Sequence, residues 1–315
     1  MSTAADAPTA FQSGASGRRA RSKTRDRPGP PDGAGPGSAS WPAFGATAHL
    51  VVADRAQLER AADVAQHLLA DVQHRCDPRR GDSDLSRANR AAGEWVEVDE
   101  LLIAAVTAAV RIGAATAGLA GLPDGHRVGL DTEGNRLRVP AGTRLDLGTT
   151  VRAFGVDLVT ARLPQQVGTP ALVSLGAGAG LEDVGVGTLP DQPQQWRLTL
   201  GVAPPEGSVP DGPTPVCEEV LLEGGGLATA LLPSLPHADS GVPHPLDPRT
   251  GLPVVPLWRE VTVSAATCLE AHGAAAAALL MGELAPAWLW EHGLAARLIG
   301  TDGHTLRVAG WPDHP

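Results

Sequence analysis

Few side chains in this sequence are of types and spacings that do chemistry. His237 and His244 stand in a proline-rich loop, and His244 precedes the turn-forming run Asp247-Pro248-Arg249-Thr250-Gly251. A third histidine, His272, lies in an alanine-rich segment. An imidazole titrates near neutral pH, so each can serve as a base, a metal ligand or a hydrogen-bonded structural group. In the His244 loop the structural alternative is a turn cap, with Asp247 accepting from backbone amides and Gly251 supplying a left-handed residue. The run GAGAG, Gly176 to Gly180, resembles a phosphate loop but lacks a Walker lysine and the GxGxxG spacing, so taken alone it reads as a turn after a strand. Arg152 can meet a phosphate bidentately or sit in an intrachain ion pair. Cys76, Cys217 and Cys268 form no CxxC pair and no even set, which argues against a disulfide framework or a structural zinc site.

These groups must be positioned by a chain of 315 residues that is 43% hydrophobic, enough for one large domain or two. Only 3% is aromatic and tyrosine is absent, which disfavours a stacking surface for single-stranded nucleic acid. The net charge of −10 is uneven, because residues 1–40 carry Arg18, Arg19, Arg21, Lys23, Arg25 and Arg27 against Asp6, Asp26 and Asp32. An acidic body repels a phosphate backbone, so no nucleic-acid partner is expected outside that basic tail. Residues 1–42 are rich in Gly, Pro, Ser, Ala and Arg and read as a disordered tail, with the folded domain over residues 43–315. Arginines near the N-terminus are followed by no apolar h-region, and the apolar stretch Ala104 to Leu122 is broken by Arg111. The expectation is a cytoplasmic protein with no membrane partner.

Strand character begins at ATAHLVVA, Ala46 to Ala53, and Asp54 can cap a helix over about Ala56 to Arg75. A polar loop is expected from Cys76 to Trp95, then a helix capped by Asp99 and running to about Ala117. Short strands follow at Arg127–Leu130 and Arg136–Val139, a helix over Thr150–Leu163, and a buried strand in ALVSLG. Further strands are expected at Trp196–Val202, Val216–Leu222 and Glu260–Ser264. Helices at Cys268–Met281 and Ala285–His292 precede a terminal strand pair around Asp302-Gly303. Without regular βαβ alternation or a fixed-period repeat, the fold class is α+β, a single mixed domain.

Five motifs in order carry a specific resemblance. They are RRGDSDLSRAN (Arg79–Asn89), with Thr116-Ala117-Gly118 closing the next helix; LDLGTTVRAFGVD (Leu145–Asp157); LVSLGAGAG (Leu172–Gly180); HPLDPRTGLPV (His244–Val254); and VTVSAATCLEAHGAAAAALLMG (Val261–Gly282). Together they resemble the FAD:protein FMN transferase, or ApbE-like, family over roughly Phe44 to Gly303. That family moves FMN from FAD to a threonine or serine hydroxyl of a target protein, releases AMP, and uses a divalent metal, usually Mg2+. The resemblance implies His244 as the base that activates the hydroxyl, with Asp247 and Thr250 holding its turn. It implies Gly148, Arg152, Asp157, Gly176, Gly178 and Thr229 at the FAD site.

The metal ligands implied by the family are an aspartate, a threonine four residues later and a backbone carbonyl. Those positions are here His272, Ala276 and about Val151, so two oxygen donors are replaced. Imidazole suits transition metals better than magnesium. Were another carboxylate to enter the site, Glu270 or Asp239 is the candidate. The family's Lys-Gly-Tyr reads Arg152-Ala153-Phe154, its Gly-Gly-Asp reads Gly176-Ala177-Gly178, its Thr-Ser-Gly reads Thr229-Ala230-Leu231, and its FDP reads Ala120-Gly121-Leu122. The expected function is FMN transfer; the alternative is an impaired homologue that binds flavin or a protein partner as a regulator or scaffold.

Overall fold

A computed structural model describes residues 35–122, 127–176, 182–201, 218–232 and 245–312. It begins with a hairpin, β1 (Gly37–Ala43) and β2 (Ala46–Val52), paired from Gly37 opposite Val52 to Ala43 opposite Ala46. The fold therefore starts before Phe44, and residues 37–42 belong to it rather than to the expected tail. GSASWPA has no run of large apolar residues, so this strand carries no pattern of its own in the sequence. Its two-residue turn, Phe44-Gly45, has φ of 54° and 70°, the twist that suits a tight hairpin. Phe44 is held there by its amide, which donates to Gln73 Oε1 at 3.0 Å, and by a ring packed against two of the cores.

Asp54 caps a 3-10 turn by accepting from Ala56 N, and α1 (Leu58–Cys76) follows with Ala61, Ala65, Leu69, Val72 and Cys76 buried along one stripe. The loop expected after Cys76 contains a further helix, α2 (Asp84–Arg90). Ser83 caps it by accepting from Ser86 N, and it buries Leu85 and Ala88. Too short to display a period, it was hidden among charged residues. β3 (Val96–Glu97), α3 (Glu100–Ala115), β4 (Gly129–Asp131) and β5 (Arg136–Arg138) come next, and Asp99 caps α3 through Leu101 N. α4 (Thr150–Val167) runs through Pro164, past the expected stop at Leu163, and closes at Gly168 with φ of 74°.

The remaining elements are β6 (Ala171–Gly176), β7 (Asp183–Gly187), β8 (Trp196–Leu200), β9 (Glu218–Leu222), β10 (Gly225–Leu231), β11 (Trp258–Ala265), α5 (Cys268–Met281), α6 (Ala285–Glu291), β12 (Ala295–Gly300) and β13 (Thr305–Val308). β7 and β10 were not expected, since glycine weakens a strand signal. Those glycines admit helices: a Cβ on Gly226 would lie 2.2 Å from the Cys268 amide nitrogen, at the start of α5.

Eight strands form one antiparallel sheet in the order β1-β2-β6-β7-β10-β11-β12-β13. α1, α4, α5 and α6 cover one face. The β8–β9 ribbon covers the other, setting Trp196, Leu198, Val220 and Leu222 on Val184, Val186 and Leu227. A third core joins the end of α1 to α2, α3 and the small sheet β3-β5-β4. The architecture is the expected mixed α+β. Cys268–Glu291 is long and apolar enough to cross a membrane by composition. It breaks at Gly282, however, and the α5 part is a core helix lying on β10 and β11.

Candidate active site at the α4–α5 junction

The LDLGTT segment is held at the entry to α4 by two sets of hydrogen bonds. Asn89 of the polar motif grips Leu145, donating from Nδ2 to the Leu145 carbonyl at 2.9 Å and accepting from the Leu145 amide at 2.8 Å. Asp146 Oδ1 then accepts from Gly148 N at 2.9 Å, with Gly148 at φ of 54°. The first motif thus positions the second, which explains a polar run that packing alone does not. Thr149 follows at the N-cap of α4, but its side chain makes no cap bond. Its Oγ1 instead lies 3.0 Å from His272 Nε2.

Asp157, about two turns further along α4, accepts from Cys268 N at 2.8 Å and Leu269 N at 2.9 Å. These are two of the amides that a helix start leaves without partners. Thr267 adds a side-chain cap through Glu270 N. Burial pushes the Asp157 carboxyl up to about 6, against the pull of the two amides. The side chain expected at the FAD site therefore fastens α5 to α4, and His272 comes to Thr149 as a result.

His272 Nδ1 lies 2.7 Å from Asp183 Oδ1, at the start of β7 between β6 and β10. Asp183 is 1% exposed. Arg152 flanks it, with Nε 3.8 Å from Asp183 Oδ2 and Nη2 3.6 Å from Glu182 Oε2. Of the two readings of Arg152, the intrachain ion pair is the one present. Thr149, Asp183 and Glu182 were missed from sequence. The available signals were a second threonine at the helix start and an acid opening the strand after the glycine run.

Beside this junction is a cavity of about 340 Å³ whose wall includes Phe44, Arg79, Arg144, Asp146, Thr149 and Arg152. Arg144 reaches it from the LDLG side, with Nη2 donating to the Pro78 carbonyl at 3.1 Å. An apolar ring and several guanidinium groups suit a ligand with an aromatic part and negative charge. A second cavity, of about 550 Å³, lies between the length of α3, the middle of α4 and the start of α5 and touches Asp157 and Glu270.

The residues at the implied metal positions do not fit magnesium, which takes oxygen ligands near octahedral geometry. His272 offers nitrogens, and both already have partners. Ala276 has no donor atom, and Val151 sits in the first turn of α4, where its carbonyl is directed along the helix. No cluster of three or more His, Cys, Asp or Glu able to hold a metal occurs among the described residues. Glu270 is buried on α5, while Asp239 lies outside the described residues.

Two other expected site residues flank this junction: the Thr229 amide donates to the Glu182 carbonyl at 2.7 Å, and Gly176 follows Leu175, which pairs with Asp183. Gly176 ends β6 opposite Thr47, and Gly178 and His244 lie outside the described residues. Thr229 on β10 faces Thr262, Oγ1 to Oγ1 at 3.0 Å. The Asp247 turn forms as expected: Gly251 adopts φ of 69°, Asp247 Oδ1 accepts from Arg249 N, and Thr250 Oγ1 accepts from Leu252 N. The Arg249 guanidinium beside Asp247 holds its carboxyl down at about 2.

A sheet with helices on one face and a ribbon on the other, joined to a small helical and stranded lobe, defines a mixed α+β class whose cleft opens at the start of α4. The family model described as "ApbE family" matches residues 44–122 and 120–298, and the chain belongs to that family. No curated protein matches. Among solved structures, the chain is similar to the apo form of the flavinyl transferase ApbE of Pseudomonas stutzeri, with 22% identity over 87% of this chain and 94% of that one, at a TM-score of 0.69. The flavin transferase ApbE of Vibrio cholerae is 20% identical over 88% and 98%, at 0.64. The ApbE protein of Thermotoga maritima is 19% identical over 87% and 97%, at 0.68. These likenesses extend the common fold over nearly the whole of each chain.

Proposed function

We propose that the protein is a flavin transferase that takes FAD as substrate, moves FMN to a threonine or serine hydroxyl of a target protein and releases AMP. The observation that carries the reading is membership of the ApbE family across residues 44–298. The cavity at the start of α4 supports it. Arg79 and Arg144 on its wall can neutralise a pyrophosphate, and Phe44 offers a surface for a flat ring. His244, three residues before the turn that Asp247, Thr250 and Gly251 hold, takes the base role by family position. A cytoplasmic location is part of the same proposal.

A second reading, a homologue that binds flavin or a partner protein without transfer, is favoured by one observation: the metal positions carry His272 and Ala276. Calorimetric titration of the full chain with FAD separates the two readings. It is run with and without Mg2+ or Mn2+, and AMP is assayed in the presence of a threonine-bearing acceptor peptide. Binding with AMP release supports transfer, binding without AMP supports the second reading, and no binding overturns both.

A further inference from the structure

A threonine at a helix N-cap ordinarily accepts from an amide of the first turn. Thr149 does not, and its hydroxyl is committed to His272 Nε2 while the residue lies on the cavity wall. Behind it the Asp183 carboxylate accepts from His272 Nδ1, and in the neutral imidazole this leaves Nε2 to accept from the Thr149 hydroxyl. A hydroxyl, a base within hydrogen-bonding distance and a third group that orients the base form the arrangement that activates an oxygen nucleophile. α4, α5 and β7 each contribute one member, and Arg152 and Glu182 complete the charged surroundings.

We propose that Thr149 is itself a flavin-accepting hydroxyl, so that the protein flavinylates its own chain. The inference rests on the flavin-transferase reading and names an acceptor for it. Thr149 Oγ1 attacks the FMN-side phosphorus of FAD, and its proton passes to His272 Nε2. The bond from that phosphorus to the bridging oxygen breaks, and AMP leaves with the electron pair and takes up the proton. The product is a phosphodiester joining Thr149 to riboflavin. His272 is the base, and Asp183 is a positioning residue that holds its tautomer.

The test incubates the full chain with FAD, with and without Mg2+, and follows intact mass, peptide mapping and FAD binding by fluorescence. The expected result is a gain of one FMN less one water on the peptide that contains Thr149. Thr149→Ser keeps the label, and the isosteric Thr149→Val loses it while melting at the temperature of the wild type. His272→Ala slows labelling by about 100-fold or more, the size of a lost general base. Asp183→Asn lowers the single-turnover rate at saturating FAD without a matching loss of FAD affinity, which a purely structural role does not produce. FAD bound without mass gain, a label on another residue, or equal labelling of Thr149→Val overturns this proposal alone. Absence of FAD binding overturns it together with the function on which it rests.

Discussion

Buried charge occurs on both faces of the large sheet, in two arrangements. Under the β8–β9 ribbon, Glu218 accepts from Arg297 Nη1 at 3.2 Å, Arg307 Nε at 3.3 Å and Trp311 Nε1 at 3.0 Å, while Arg297 also pairs with Glu260. Arg297 is 1% exposed and Glu218 2%. Although burial raises the Glu218 carboxyl, its Trp311 and arginine partners bring it below the usual range. On the helical face, Asp183 is as deeply buried, but its chain runs through His272 to the exposed Thr149 at a cavity. The first network closes on itself and fastens the ribbon to the sheet. The second ends on a group that a ligand can reach, and that open end separates a candidate site from a structural ion cluster.

The contrast makes the closed network the costlier to cut. Glu218→Ala leaves Arg297 buried beside one fewer carboxylate and is expected to lower stability by about 3–5 kcal/mol in urea unfolding. A loss below about 1 kcal/mol would mean that the ribbon does not depend on the network.

Asp157 stands between the two kinds, a buried carboxyl that ties helices beside the open site. With its carboxyl at about 6 rather than 3.8, the folded chain holds a proton that the unfolded chain has released between those values. Stability from this group is therefore fully present below about 4 and falls as pH rises to about 6, by on the order of 3 kcal/mol. Asp157→Asn removes an acceptor from the two α5 amides, at about 1–3 kcal/mol. Its deficit against wild type is expected to be largest near pH 4 and to narrow toward pH 7. A deficit that widens with pH contradicts the assignment.

Two N-caps sharpen the comparison at its smallest scale. Ser83 accepts from Ser86 N and is buried, so Ser83→Ala is expected to cost about 1 kcal/mol. Thr149 makes no cap bond, and Thr149→Val is expected to change thermal stability by less than about 0.5 kcal/mol. Equal losses at both positions would place Thr149 among structural caps rather than at a site.

Local signals in the sequence were sufficient where an element carries its own pattern. Asp99 caps α3 as expected, and the alanine-rich run forms α5 over Cys268–Met281. Gly251 takes the left-handed conformation of the Asp247 turn. β1, β7 and β10 carried no such pattern. Their small residues are there for what lies across from them, as with Gly226 beneath the start of α5.

The order of motifs along the chain determined the family and the α+β class, because turn chemistry, helix caps and hydrophobic period are written in neighbouring residues. Only the tertiary structure decided what the site is made of. Thr149, Asp183 and His272 are far apart in sequence, and no local rule couples them. They meet because Asp157 docks α5 on α4, Gly226 admits the helix to the sheet, and β7 pairs between β6 and β10. Hydrogen bonding between distant side chains depends on distances set by that packing, a quantity that residue types and spacings do not contain.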